Sequence, residues 1–208
     1  MLGTQHLSLF VVSGILLNLT PGQDTLYIVG RTMSQGRRAG LLSVAGISSG
    51  SVIHTIAAAL GLSAILATSA LAFTIVKLAG AAYLVYLGIR MLSARSEPAL
   101  QARAFAHERE SAIYRAAILT NVLNPKVALF FLAFLPQFVD PATSSRIGTF
   151  LFLGSLFICS GTLWCLVLVW GAEAMSARLR RSNTTRRWMQ RATGAIFIGL
   201  GARLATSR

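Results

Sequence analysis

The chain has 208 residues, 54% of them hydrophobic and only 12% charged; a soluble domain carries about 25% charged residues, so a water-soluble globular protein is excluded. Lys and Arg number 19 against 6 Asp and Glu, a net charge of +13, but the arginines lie between long apolar segments, which excludes nucleic acid as the partner. The remaining class is an integral membrane protein, and a spanning helix needs about 20 residues. Six such spans are predicted, at about 6–30, 41–67, 70–92, 112–138, 147–172 and 188–206. They use most of the chain, so residues 1–208 form a single membrane domain.

The first span starts without a basic segment before Leu7 and without a clear small-x-small cleavage site, so it reads as a permanent span and not a signal peptide. Its apolar run is interrupted by Leu19-Thr20-Pro21-Gly22. Proline removes a backbone donor and breaks a helix. Inside a bilayer such a break is tolerated only where protein or a water-filled cavity satisfies the freed groups. Asn18, Thr20, Gln23 and Asp24 crowd around it. Pro21 lies some 15 residues into the span, or about 22 Å at 1.5 Å per residue, near or somewhat past the midplane. A carboxylate at that depth is costly and normally faces the bundle interior, which makes Asp24 a functional-site residue; the alternative is an interfacial Asp24 near the cytoplasmic face. The half-helix from Gly22 would aim unpaired N–H groups at a substrate carboxylate. The freed carbonyls before it, with Asn18 and Asp24, suit an ammonium or a proton.

Span 2 carries Gly46, Gly50 and His54 at four-residue spacing, continued to Gly61. Residues four apart share a helix face, and small ones there let another helix approach closely. Two readings stand for His54: a proton-carrying group, or a neutral ring bonded to a backbone carbonyl. In span 3, Lys77 reads as snorkelling to the outer interface. Residues 93–111 are predicted to be a solvated cytoplasmic linker between repeat 1 (about 1–92) and repeat 2 (about 112–208).

Span 4 is interrupted by Leu123-Asn124-Pro125-Lys126. Asn124 can cap a new half-helix whose first residue is Pro125. Lys126 follows at mid-depth, where it must pair, deprotonate or reach water; Asp24 is its natural partner, and snorkelling is the alternative. Asn121, one turn earlier, shares that face. In span 5, Cys159 and Cys165 point to different faces of one helix and read as small apolar fillers, while Trp164, Trp170 and Trp188 fit core packing or interfacial belts. No metal-ligand spacing and no cofactor motif appears.

Arg31, Arg37 and Arg38 follow span 1; Arg90, Arg95, Arg103, Arg109 and Arg115 follow span 3; Arg178, Arg180, Arg181, Arg186, Arg187 and Arg191 follow span 5. The opposite side has Arg146, Arg203 and Arg208. Positive loops stay cytoplasmic, which predicts both termini on the outside. Leu19-Thr20-Pro21 answers Leu123-Asn124-Pro125, and Leu87-Gly88-Ile89-Arg90 answers Leu200-Gly201-Ala202-Arg203. With three spans per half, the second half must be upside down. The predicted fold is all-α: six transmembrane helices in two inverted three-helix repeats, with helices 1 and 4 broken by proline. Matched broken segments mark a transporter's binding site.

At these residues the chain resembles the LysE/RhtB family of amino-acid exporters. The matching stretches are NLTPGQDTLYIVGRTMSQGRRAGLLSVAGISSG, KLAGAAYLVYLGIRML and NPKVALFFLAFLPQFVDP, in order over essentially the whole chain. The resemblance implies a small bacterial inner-membrane carrier with six spans, often viewed as a homodimer, that exports amino acids such as homoserine, threonine, lysine or cysteine, driven by protons. It maps the family's motifs onto Pro21-Gly22 and Asn124-Pro125-Lys126. Two departures stand out. Gln23 occupies the place of a second proline, which makes the first break milder. Ser51 stands where the family often has an acidic residue, which argues against a strongly cationic substrate and puts more of any proton coupling on Asp24 or His54.

The expected function is export of a small amino acid or amino-acid-like metabolite by alternating access in exchange for protons. The expected site comprises Asn18, Pro21, Gly22, Gln23, Asp24, Ser51, His54, Asn121, Asn124, Pro125 and Lys126. A carrier for another solute or cation is the alternative. An intramembrane hydrolase built on Ser48, Ser49, Ser51 and His54 is a remote one.

Overall fold

The computed structural model describes residues 3–62, 107–140 and 142–181, with isolated positions at 71, 74, 75, 78, 82, 85, 86, 89, 195, 198, 199 and 202. Among these residues the fold is all-helical, with no strand and one isolated bridge between Thr4 and Val139. Helix α1 is Leu7–Leu19, α2 is Gln23–Ala57, α3 is Glu110–Val122, α4 is Pro125–Leu129 and α5 is Arg146–Arg181. A π-helical turn, Ala58–Leu62, continues α2, and α4 runs on through a π turn, Phe130–Phe134, and a 3-10 turn, Leu135–Phe138. By length and composition, Gln23–Leu62 and Arg146–Ala172 can each cross a membrane, and the pair Glu110–Val122 plus Pro125–Phe138, bent by 47°, counts as a third span if taken together. Expected spans 3 and 6, and residues 93–106 of the linker, lie outside the described residues except for those isolated positions.

Helix α2 doubles back. Gly36, with φ 83° and ψ 177°, leaves the helix, a conformation only glycine adopts freely. A Cβ on Gly40 would strike the Thr32 side chain, so residues four before and four after Gly36 touch. Asp24 and Ser51 would be about 40 Å apart along a straight helix at 1.5 Å per residue, yet both bond the same Asn121 side chain. The arm 23–35 therefore completes the first broken segment, and the arm from 37 begins the expected second span.

The two broken segments run antiparallel along their whole length. Gln5 N–H donates to the Phe138 carbonyl at 2.9 Å and the Gln5 side chain to the Gln137 carbonyl at 2.8 Å. Midway, Lys126 meets Leu17 and Asn121 meets Asp24. At the far end the Tyr27 hydroxyl donates to the Ile113 carbonyl at 2.9 Å, and Arg31 pairs with Glu108 at 2.8 Å.

Two cores flank the breaks. One is aromatic: Phe10, Phe130, Phe131, Phe134, Phe138 and Phe157 are all buried, with Phe130 stacked on Phe157 at 4.5 Å and Phe10 edge-on to Phe138 at 5.2 Å. Apolar lipid gives helices little hydrophobic reason to associate, so such close packing supplies the attraction. The other joins Tyr27, Ile28, Val44, Ile47, Ile113, Ala117, Leu168 and Val169. Leu123, Leu163, Val167 and Trp170 point outward, as lipid-facing side chains do.

Candidate functional site

The breaks create the site's framework. After Leu19 the backbone turns extended at Thr20, Pro21 and Gly22, and a new helix starts at Gln23. The interruption is three residues long, with Gln23 the first residue of the new helix. Two carbonyls at this break accept from a lysine on the second broken segment. Lys126 Nζ donates to the Leu17 carbonyl at 3.0 Å and to the Thr20 carbonyl at 3.1 Å, and it sits close enough to Gly22 that a Cβ there would lie 3.3 Å from it. At the second break Asn124 Oδ1 accepts from the Lys126 N–H at 3.1 Å, with Pro125 as the first helical residue. That cap fixes the direction in which Lys126 leaves its helix.

Asn121 ties three elements together. It is 1% exposed. Its amide donates to Asp24 Oδ2 at 2.8 Å and its oxygen accepts from the Ser51 hydroxyl at 3.3 Å, so the orientation of the amide follows from its partners. His54 Nε2 lies 3.3 Å from the Asn121 carbonyl; a carbonyl only accepts, so this nitrogen carries the proton. The ring stacks on Phe131 at 5.6 Å. This is the carbonyl-bonded geometry of the second His54 reading. Gly50 makes room for the arrangement, since a Cβ there would be 2.7 Å from Asn121 Oδ1. Gly46 does the same one turn away, against Ala117 and the Tyr114 carbonyl, at 2.5 Å from each. Gly61, expected on the same stripe, lies in the π turn at 58–62; among the described residues a Cβ there meets nothing within 4 Å.

Between these elements lies a cavity of about 40 Å³, lined by Asn18, Asp24, Ser48, Ser51, Asn121 and Lys126 on one side and by Phe157, Gly161, Thr162, Trp164 and Cys165 of α5 on the other. That volume holds about three water molecules. Asn18 donates to Ser160 at 3.3 Å and Ser48 pairs with Thr162 at 2.8 Å, which pins α5 against the breaks. Among the described residues Asp24 Oδ1, which is buried, has no hydrogen-bond partner. Asp24 and Lys126 form no ion pair; among the described residues the ion pairs are Arg31–Glu108 and Arg38–Glu110. The expected pairing fails because the carbonyls of the first break take the ammonium and Asn121 takes the carboxylate.

Of the residues expected at the site, Asn18, Asp24, Ser51, Asn121 and Lys126 meet at the cavity. Pro21, Gly22, Asn124 and Pro125 shape the breaks behind it, and His54 stands behind Asn121. Gln23 is exposed and does not line the cavity. The serines do not bond His54: Ser48 pairs with Thr162, Ser49 with Tyr114 and Ser51 with Asn121. Sequence reasoning missed the whole α5 wall. Its signal was the polar cluster Ser160-Gly161-Thr162 in mid-span. Arg31 was read as a loop cation, yet its side chain is 3% exposed, paired with Glu108 and 5.4 Å from the Tyr27 ring centroid.

A family profile described as LysE type translocator matches residues 15–208. An uncharacterized membrane protein of Vibrio cholerae is 36% identical over 203 residues, covering 96% of both chains. The homoserine/homoserine lactone efflux protein of Salmonella typhimurium is 30% identical over 202 residues, covering 96% of this chain and 95% of its own. No solved structure matches.

Proposed function

The chain belongs to the LysE type translocator family, and on that premise we propose that it exports a small neutral amino acid or a close derivative across the bacterial inner membrane in exchange for protons. The efflux relatives support the solute class. The observation that carries the site assignment is the buried Asp24 Oδ1, without a partner, in a cavity that it shares with Lys126. A charged residue near mid-membrane costs about 2.5–3.5 kcal/mol on insertion scales, which marks such residues as functional.

In this reading the solute's ammonium binds Asp24 Oδ1, with Asn18 beside it. The carbonyls of Leu17 and Thr20, expected to share that task, are occupied by Lys126. An ammonium has three donors; two of those on Lys126 are engaged, and the third is left for the solute's carboxylate. A proton reaching Asp24 from outside neutralises the carboxylate, weakens its hold on the ammonium and releases the solute outward. Loss of that proton to the cytosol restores the site. The cavity is smaller than an amino acid, so the helices around the breaks must part on one side at a time. Six spans in two inverted repeats, with both termini outside, provide the frame for this motion; the antiparallel run of the two broken segments supports that arrangement.

Purified protein in liposomes tests the function. Liposomes loaded with unlabelled L-homoserine should take up labelled L-homoserine by counterflow faster than protein-free liposomes. Equal uptake, for homoserine and for a panel of other neutral amino acids, would refute the proposal.

A further inference from the structure

The cavity holds a second unmatched group. Trp164 of α5 lines the same cavity as Asp24 and Lys126, and its indole Nε1 is buried without a hydrogen-bond partner among the described residues. An indole N–H can only donate and an ionised carboxylate can only accept. Asp24 Oδ1 and Trp164 Nε1 are thus complementary in kind, yet they do not bond each other. Buried polar groups in folded proteins are nearly always paired, and each exception calls for an explanation. Thr162, which lines the same cavity, is bonded to Ser48 and not to the indole.

We infer that Trp164 is a specificity-determining residue, whose indole N–H donates to a carboxylate or carbonyl oxygen of the solute while Asp24 holds its ammonium. One occupant carrying a cationic end and an oxygen acceptor satisfies both orphaned groups at once. A simple amine satisfies only Asp24. An indole N–H is a neutral donor: it can donate to an ester carbonyl as well as to a carboxylate, the bond to the carboxylate being the stronger. This inference rests on the proposed function, because it needs an amino-acid-like solute in this cavity.

Trp164→Phe removes the N–H and keeps an aromatic ring. In liposome counterflow with L-homoserine, the variant should show a KM about tenfold higher, the effect of losing one hydrogen bond to a charged group, with kcat within about twofold. An unchanged KM overturns the inference and leaves the transport function standing. A wild-type protein that shows no counterflow of any neutral amino acid overturns both. If Trp164→Phe does not fold, the decision passes to the double variant Trp170→Phe/Trp188→Phe, in which Trp164 is the remaining tryptophan. Addition of L-homoserine should then shift its emission to longer wavelength. No shift, at concentrations that saturate counterflow, overturns the inference.

Discussion

Asp24 is tethered by Asn121 at one oxygen and open at the other, whereas Lys126 spends two of its donors on the carbonyls that the first break exposes. The two charges therefore act separately: Lys126 holds the unwound turn together, and Asp24 is free to exchange partners. Lys126→Met keeps the stem and removes the ammonium. It removes two charge-assisted hydrogen bonds, to the Leu17 and Thr20 carbonyls, each of which contributes about 1.5–3 kcal/mol. The expected result is a lowered melting temperature in detergent together with at least tenfold slower counterflow, read by thermal unfolding and by uptake. Full stability would show that the carbonyls find other partners. Charged and amide residues beside a proline were legible in the sequence because apolar surroundings make each of them costly. Their pairing was not legible. Opposite charges suggested an ion pair, but nothing in the spacing showed that the broken backbone would compete for the lysine. Trp164 was hidden for another reason: a tryptophan in a spanning helix reads as packing until its N–H is found without a partner.

At the scale of elements, the small-residue face of α2 decides how closely α3 can lie. Gly50→Ala would place a methyl 2.7 Å from Asn121 Oδ1, and overpacking of this kind costs about 1–3 kcal/mol. The strain falls on the side chain that holds Asp24, so transport should fall by more than the loss of stability accounts for. Comparison of counterflow rate with melting temperature for Gly50→Ala checks this, with Ser155→Ala, exposed on α5, as the control that should change neither; Gly36→Ala is unsuitable as a control because of its positive φ. Four-residue spacing made Gly46 and Gly50 readable as a packing stripe, because a regular helix keeps such residues on one face. At Gly61 the helix winds as π, so the four-residue spacing no longer fixes its face. The polar stretch around Gly36 marked the turn between the first two spans, but the closeness of the reversal depends on its positive φ, which no hydropathy pattern reports.

Across the whole molecule, the two proline-broken segments lie antiparallel from Gln5–Phe138 at one end to Arg31–Glu108 at the other. The expected three spans per half call for that relation between the halves, and the antiparallel run of these two segments agrees with it. The wall that α5 adds to the cavity was not legible in the sequence, since contacts between distant spans leave no trace in local periodicity. If the Thr4–Val139 bridge faces the periplasm, a Thr4→Cys/Val139→Cys pair, made with Cys159 and Cys165 replaced by alanine, should oxidise there. Bridged residues lie about 4.5–5.5 Å apart at Cα, within reach of a disulfide. Electrophoresis with and without reductant should show the cross-link. Its absence in the oxidising periplasm, with its formation only after cell lysis, would place this end in the cytosol.

The central claim is that Asp24 carries both the solute's ammonium and the exchanged proton. Its most direct test is labelled L-homoserine uptake into liposomes under an imposed pH gradient, comparing the wild type with Asp24→Asn. Asparagine keeps the shape but can neither ionise nor release a proton. The wild type should accumulate solute in the compartment from which protons flow out, and Asp24→Asn should lose that accumulation entirely. Accumulation by Asp24→Asn at the wild-type rate, with the same dependence on pH, would contradict the account.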